Sequence, residues 1–245
     1  MSVPATVTGS GVEPGPRTEP GDEPRAEGHD PAGAPRTVVH LVRHGEVHNP
    51  ERVLYGRLPG YRLSERGREM AVRLGLHFST RDVASVTASP LQRAQETATP
   101  IAEALGLPLG TEERIIEAGN SFEGFHVTTG AGSIRDPRVW PRLWNPLRPS
   151  WGEPYAQQAE RMVATVRDAR DAFPGRESVL VSHQLPVWVT RLRAEQRPLW
   201  HDPRKRQCAL ASITSLEFAG RRLVSVTYSE PCADLLVGAD PVPGA

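Results

Sequence analysis

Three short runs of small and β-branched residues alternate with helical patterns along this chain, and they constrain its fold more than any other feature. The runs are Thr37–Val42, Val83–Ala88 and Ser178–Ser182. Such runs predict strands that are buried on both faces. Strands that alternate with helices predict an α/β domain, with a mainly parallel sheet and helices on both faces.

Helix signals lie between these runs. Ser64 is a candidate N-cap for a helix with apolar residues at helical spacing. Ser89 is a candidate N-cap for a second helix, with Pro90 at its first position and Gly106 at its end. A third helix is predicted over about 155–172, and a fourth should begin near Leu185. Two further runs predict a terminal antiparallel hairpin, Ile213–Phe218 and Leu223–Tyr228.

The ends of the chain differ from its centre. Residues 1–36 contain seven prolines and six glycines and almost no large apolar side chains, so they predict a disordered tail. Residues 37–233 would form the folded domain, and residues 234–245 a frayed C-terminal tail. The segment 132–152 carries three tryptophans and several prolines, and two interpretations are equally open: a cover over a pocket, or amphipathic packing with solvated arginines.

Composition excludes several function classes. The formal net charge is zero, so nucleic acid and membrane surfaces are not indicated as partners. The chain has two cysteines, no apolar run of transmembrane length and no basic and apolar leader, which together predict a cytoplasmic protein.

Polar residues follow each of the three predicted buried strands. Arg43–Glu46 ends the first strand, Ser89–Arg93 follows the second, and Ser182–Gln184 ends the third. Ligands of open α/β sheets bind beyond the carboxyl ends of the strands. Two histidines, two arginines and a helix N-terminus should therefore meet at one anion pocket. No glycine-rich phosphate loop and no paired-aspartate metal cluster occurs in the sequence, so no cofactor or metal is implied.

The ordered motifs resemble those of the histidine phosphatase superfamily in its phosphoglycerate-mutase-like branch 1, over roughly residues 37–232. Arg-His-Gly-Glu at 43–46 is followed by Asn49, and Gly56 precedes a Leu-Ser-Glu-Arg-Gly run at 63–67. Ser89–Ala98 is similar to the family's Ser-Pro-Leu-x-Arg-Ala helix. Glu117, Glu123 and Val181–His183 resemble the later motifs. The resemblance implies a three-layer phosphoglycerate-mutase-like fold.

The resemblance also implies roles for individual residues. His44 would attack phosphorus and form a phosphohistidine. Arg43, Arg93 and a protonated His183 would hold the phosphoryl oxygens. Asn49, Gly56 and Gln184 are the expected substrate-binding residues, and Gln184 stands where the family has glycine. Glu117 would act as general acid and then as general base.

Some alternatives stay open. Glu112, Glu113 and Glu123 are acids near Glu117. The pair His44 and His48 would suggest a metal site on a helix, but Gly45 and the preceding strand argue against a helix there. Residues 204–206 are interpreted as an exposed turn, with a role in steering phosphate as the alternative.

The implied activity is a metal-independent phosphatase for a small phosphorylated metabolite. Two rivals remain: a phosphoglycerate mutase, and a phospho-ligand binder without turnover. Oligomers are possible.

Overall fold

A six-stranded sheet with helices on both faces forms the centre of the structure, a computed structural model that describes residues 35–120, 123–124 and 152–237. Residues 1–34 of the expected tail at 1–36, nearly all of the Arg- and Trp-rich segment 132–152, and residues 238–245 of the expected C-terminal tail at 234–245 lie outside these described ranges, whereas Arg36 begins the first strand. The expectations for those segments therefore stay predictions.

The strands and helices follow one another in the predicted alternation. The strands are β1 (Arg36–Arg43), β2 (Val83–Ala88), β3 (Leu109–Thr111), β4 (Glu177–Ser182), β5 (Ile213–Ala219) and β6 (Arg222–Ser229). The helices are α1 (Glu65–Phe78), α2 (Gln92–Leu105), α3 (Tyr155–Ala172) and α4 (Gln184–Ala194). Short 3₁₀ helices cover Glu113–Ile115, Pro203–Lys205 and Ala233–Leu236.

The strand order is β3-β2-β4-β1-β5-β6. Strands β1, β2, β3 and β4 are parallel, whereas β5 and β6 form the predicted antiparallel hairpin beside β1. Strand β4, the last parallel strand in the chain, lies between β1 and β2. The carboxyl ends of all three therefore lie at one edge of the sheet.

Each face of the sheet has its own core. Helices α1 and α2 cover one face, where Phe78 and Ile101 pack against Val86 and Val181. Helices α3 and α4 cover the other face, where Met162, Val166 and Val187 pack against residues such as Leu41 and Leu180. These two layers and the sheet form the predicted three-layer α/β architecture.

Two local predictions have different outcomes. Ser64 caps α1 as expected, because its side chain accepts a hydrogen bond from the Gly67 backbone N–H at 2.9 Å. The prediction that Ser89 caps α2 is wrong, because α2 begins at Gln92 and its N-cap is Leu91, which has no side-chain cap bond. The hydroxyl of Ser89 has another partner, described below.

No helix in the described ranges is both long and apolar enough to cross a bilayer.

Candidate active site

The polar ends of β1, β2 and β4 meet at one edge of the sheet. Arg43 pairs with Ser182 in the parallel register of β1 and β4. The ladder continues beyond the strands, where the N–H of His44 donates to the Ser182 carbonyl at 3.1 Å. On the other side of β4, the N–H of Ser89 donates to the Val181 carbonyl at 2.9 Å. The backbone thus fixes the relative positions of the three motifs.

His44 is buried, and its ring has a defined orientation. Its Nδ1 lies 2.8 Å from the carbonyl oxygen of Gly45. Only a protonated Nδ1 can donate to a carbonyl, so Nε2 carries the free lone pair. Burial lowers the pKa of His44 well below its ordinary value, and the positive charges of Arg93 and Arg43 lower this pKa further. The ring is therefore neutral at neutral pH.

Two buried guanidinium groups lie beside this ring. Arg43 donates from Nη1 to the Cys208 carbonyl at 2.7 Å, and Arg93 donates from Nη2 to the Gly56 carbonyl at 2.6 Å. Arg93 also lies over the ring of Tyr55, 4.7 Å from its centroid. Each arginine is held by one nitrogen and keeps others for an anion.

An arginine in the first turn of a helix, such as Arg93, can also face solvent. The structure excludes this, since Arg93 is 1% exposed. Burial lowers its pKa, although nearby Tyr55 and Glu117 act in the opposite direction. Arginine remains charged in proteins in spite of such a shift.

Glu117 is the buried carboxyl of the acidic segment. It is 0% exposed, and its Oε1 accepts a hydrogen bond from the Ala118 backbone N–H at 2.8 Å. Burial raises its pKa above the ordinary value, against the effects of that hydrogen bond and the positive charges of Arg93, Arg206 and Arg43. A raised pKa is what a general acid needs.

The other acids in this segment have different environments. Glu112 forms a 2.6 Å ion pair with Arg114, and Glu113 is exposed. Glu123 accepts from the Arg57 backbone N–H at 3.0 Å. Burial thus favours Glu117 as the candidate acid.

His183 lies opposite His44, with 5.2 Å between the ring centroids. Its Nε2 shares a 2.7 Å hydrogen bond with the Ser89 hydroxyl. Burial lowers the pKa of His183 well below its ordinary value, and the charges of Arg93, His44 and Arg43 contribute. The incoming phosphate dianion would have to reverse this shift for His183 to act as a cation.

The three expected substrate-binding residues lie at different distances from the chemistry. Asn49 closes its own loop, because its amide donates to the Val53 carbonyl at 2.8 Å and accepts from the Val53 N–H at 3.0 Å. Gly56 orients Arg93 through its carbonyl. Gln184, the first residue of α4, accepts from Nη1 of Arg206 at 3.4 Å. Their contact with substrate stays a prediction.

Two residues of the motifs, to which sequence reasoning gave no role in catalysis or binding, organise the site. Thr97 accepts from the Gly45 N–H at 3.0 Å and donates to the Arg93 carbonyl at 2.7 Å. Ser89 holds His183. Both belong to the Ser89–Ala98 motif, which could have signalled them.

Buried polar atoms without a hydrogen-bond partner converge here. Seven such side-chain atoms occur in the part of the chain that the structure describes. Four of them belong to the candidate site: Nε of Arg43, Nε of Arg93, Oε2 of Glu117 and Nδ1 of His183. Buried polar groups normally have partners, so three unpaired nitrogens, on Arg43, Arg93 and His183, indicate a site for an anion. Residues 35–120, 123–124 and 152–237 contain no group of three His, Cys, Asp or Glu side chains arranged to hold a metal ion.

Comparisons with known proteins agree with this geometry. The sequence model described as histidine phosphatase superfamily (branch 1) matches residues 39–231. An uncharacterized protein of Mycobacterium tuberculosis is 56% identical over 197 residues, which cover 80% of this chain and 98% of that protein. Phosphoserine phosphatase 1 of Hydrogenobacter thermophilus is 32% identical over 201 residues, 78% of this chain and 92% of the relative.

A solved structure gives the same architecture. The YhfR protein of Bacillus stearothermophilus superimposes with a TM-score of 0.64 at 27% identity, over 78% of this chain and 96% of YhfR. The similarity to solved structures confirms the predicted phosphoglycerate-mutase-like fold.

Proposed function

This chain belongs to the histidine phosphatase superfamily, branch 1, and we propose that it is a metal-independent phosphomonoester hydrolase that uses His44 as its nucleophile. Its substrate would be a small phosphorylated metabolite. The observation that carries the proposal is that an oriented, neutral His44 and a buried carboxyl, Glu117, whose pKa is raised, both lie within the electrostatic reach of the same two arginines, Arg93 and Arg43.

The first step transfers the phosphoryl group to the enzyme. The lone pair on Nε2 of His44 attacks phosphorus as the bond from phosphorus to the leaving oxygen breaks. Glu117 gives its proton to that oxygen, so an alcohol leaves instead of an alkoxide. The free nitrogens of Arg43 and Arg93 stabilise the negative charge on the remaining phosphoryl oxygens.

The second step returns the enzyme to its starting state. Glu117, now a carboxylate, takes a proton from water as the water oxygen attacks phosphorus. The bond between phosphorus and Nε2 of His44 breaks, and inorganic phosphate leaves. The low pKa of His44 favours this step, because a neutral imidazole is a good leaving group.

The test is the loss of turnover when the nucleophile is removed. In EDTA, the His44→Ala protein should hydrolyse phosphomonoesters at least about 1000-fold more slowly than wild type. His48→Ala is the matched control, since His48 is an exposed histidine on the same loop. After reaction with a phosphoester radiolabelled in its phosphoryl group, a rapid alkaline quench should leave the label on wild-type protein but not on the His44→Ala protein. Acid should then release this label. Full activity of His44→Ala would refute the mechanism.

A coupled assay separates hydrolysis from isomerisation. With 3-phosphoglycerate, in the presence and absence of 2,3-bisphosphoglycerate, a phosphatase releases inorganic phosphate faster than it forms 2-phosphoglycerate. The reverse order would favour a mutase. Tight binding of phosphate without turnover on a broad panel would favour a phospho-ligand binder.

A further inference from the structure

A mostly buried arginine outside the family motifs, Arg206, lies beside the candidate active site. Sequence reasoning interpreted residues 204–206 as an exposed turn. Arg204 and Lys205 are indeed exposed, but Arg206 is not. Arg206 is partly buried, and even partial burial of a cation costs free energy, because its charge is removed from water.

Two neighbours hold the Arg206 guanidinium. Its Nε donates to Nε2 of His201 at 2.9 Å, and Nη1 donates to Oε1 of Gln184 at 3.4 Å. The Tyr155 side chain also lies near the guanidinium. His201 and Gln184 are neutral partners, so neither of them neutralises the charge of Arg206.

His201 is fixed as an acceptor for this bond. Its Nδ1 lies 2.7 Å from the Leu199 carbonyl, so Nδ1 carries the proton and Nε2 is free to accept from Arg206. The rings of Tyr155 and Trp188 lie against the imidazole, with centroids 5.3 Å and 6.0 Å away. His201, which packs against these two aromatic rings, therefore positions Arg206.

Arg206 lies on the side of the site where a leaving group would be. It is close enough to Glu117 for the two charges to influence each other. Glu117 would protonate the leaving oxygen, so the remainder of the leaving group must lie next to this carboxyl. Gln184, which contacts Arg206, directly follows His183 in sequence.

A cavity is lined by both Arg206 and Arg43, one of the residues proposed to hold the phosphoryl group. It measures about 410 Å³, and its lining includes Arg43, Gln184, Arg206 and Cys208. Arg43 is shared between this cavity and the candidate active site. The other charged lining residues are Arg204, which pairs with Asp202 at 2.9 Å, Lys205 and Glu230. Positive charge thus predominates in the lining.

We propose that this cavity is a second anion subsite, in which Arg206 binds an acidic group on the leaving group of the phosphoester. The proposal rests on the proposed phosphatase function and narrows its substrate class. Preferred substrates would carry a carboxylate or a second phosphate in addition to the phosphate that is cleaved. Both groups offer oxygens to the planar guanidinium in the same way. Arg206 is then a specificity-determining residue, and Gln184 and His201 position it.

Matched pairs of phosphoesters test the proposal. O-phosphoserine and O-phosphoethanolamine differ by one carboxylate, and glucose 1,6-bisphosphate and glucose 1-phosphate differ by one phosphate. In wild type, kcat/KM for the acidic member of at least one pair should be about 10- to 100-fold higher. The pair that shows the preference identifies which acidic group the subsite accepts.

Variants assign this preference to Arg206. Arg206→Gln should reduce the preference to within about threefold of unity, chiefly through KM for the acidic member. Arg206→Lys, which keeps the charge but loses the planar guanidinium, should retain only part of the preference for the acidic member. If Arg206→Gln does not fold, this partial loss is the result that tests the role of Arg206. Arg197→Gln is the control, because Arg197 is an arginine that pairs with Glu195 outside the cavity lining. It should leave the preference at its wild-type value.

Two results would overturn the subsite. One is the absence of a preference in both pairs for wild type. The other is an equal loss on both members of a pair in the Arg206 variants. Either result, with turnover that still depends on His44, would leave the proposed phosphatase function intact.

Discussion

The Ser89 hydroxyl lies 2.7 Å from Nε2 of His183, and both groups are fully buried. This bond joins the residue after β2 to the residue after β4. It also determines which ring nitrogen is available, because Nδ1 of His183 has no partner within the described residues. Ser89 therefore orients the nitrogen that would donate to a phosphoryl oxygen.

Replacement of Ser89 should impair catalysis through His183. In Ser89→Ala the ring loses its only side-chain partner in the described residues, and we expect kcat/KM to fall by about 10- to 100-fold. Ser85→Ala is the control, because Ser85 lies on β2, which Ser89 directly follows, and its hydroxyl forms a 3.0 Å hydrogen bond with Ser178 away from the candidate site. Steady-state kinetics of both variants make the comparison. Equal activity of Ser89→Ala and Ser85→Ala would show that the bond has no catalytic role.

Glu117→Gln should slow the enzyme in proportion to how much the leaving group needs a proton. An alkoxide is a poor leaving group, so we expect kcat/KM for O-phosphoethanolamine to fall by about 100- to 10,000-fold. The loss with p-nitrophenyl phosphate should be at least about tenfold smaller, since nitrophenolate leaves without protonation. The same loss on both substrates would argue against a general acid.

The pH profile of kcat/KM should report the same group. The first step requires protonated Glu117, whose pKa is raised above 4.5 by burial, so activity falls as pH rises through that raised value. It also requires neutral His44, whose pKa is lowered below 6.5 by burial, so an acidic limb lies below pH 6.5. Glu117→Gln should remove the alkaline limb and keep the acidic one, measured against wild type on the same substrate. An alkaline limb that persists in the variant would assign it to another group.

Thr97→Val should destabilise the fold and disturb the loop that follows β1 and contains His44 and Gly45. The substitution leaves the buried N–H of Gly45 without its acceptor, at a cost of about 1–3 kcal/mol in the free energy of unfolding. Thr99→Val is a close control, because Thr99 makes the same type of bond to a carbonyl four residues earlier, at 2.9 Å, but is exposed. Urea unfolding should give a loss below about 1 kcal/mol for that variant. Similar losses in the two variants would contradict a special role of Thr97.

Gly56→Ala should lower activity more than Gly60→Ala does. Both glycines have positive φ, +38° and +84°, so both alanine variants carry a backbone cost of about 1–2 kcal/mol. Only at Gly56 would the added Cβ collide with the Glu123 side chain, and only its carbonyl holds Arg93. We therefore expect kcat/KM to fall at least about tenfold in Gly56→Ala alone. Equal kinetics would mean that Arg93 does not depend on this carbonyl.

The strands and the main site motifs were predictable because their signals are local. Thr37–Val42 and Ser178–Ser182 are apolar runs, and polar residues follow each of them directly. Their pairing was not predictable in detail, since Val42 and Val181 are partners more than 130 positions apart. The three residues of β3 are too few for a periodic signal.

Other misses arose where tertiary partners override local preference. Ser89 and Pro90 form a typical helix start, yet the hydroxyl of Ser89 binds His183, and α2 begins at Gln92. Arg206 lies in a run of three basic residues, a pattern that is typical of an exposed turn, but its guanidinium donates hydrogen bonds to His201 and Gln184. His183 and Gln184 lie far from Ser89 and Arg206 in sequence, and the sequence around Arg206 does not show that the side chain of His201 faces it.

The position of β4 between β1 and β2 has a consequence for synthesis on the ribosome. In the described sheet, β1 pairs only with β4 and β5, and β2 pairs only with β3 and β4. Strand β1, which His44 directly follows, is therefore translated long before either of its neighbours exists. It cannot enter the sheet until residues 177–182 have left the exit tunnel. Nascent chains must hold β1 unpaired over more than 130 codons, a period in which a chaperone could bind it.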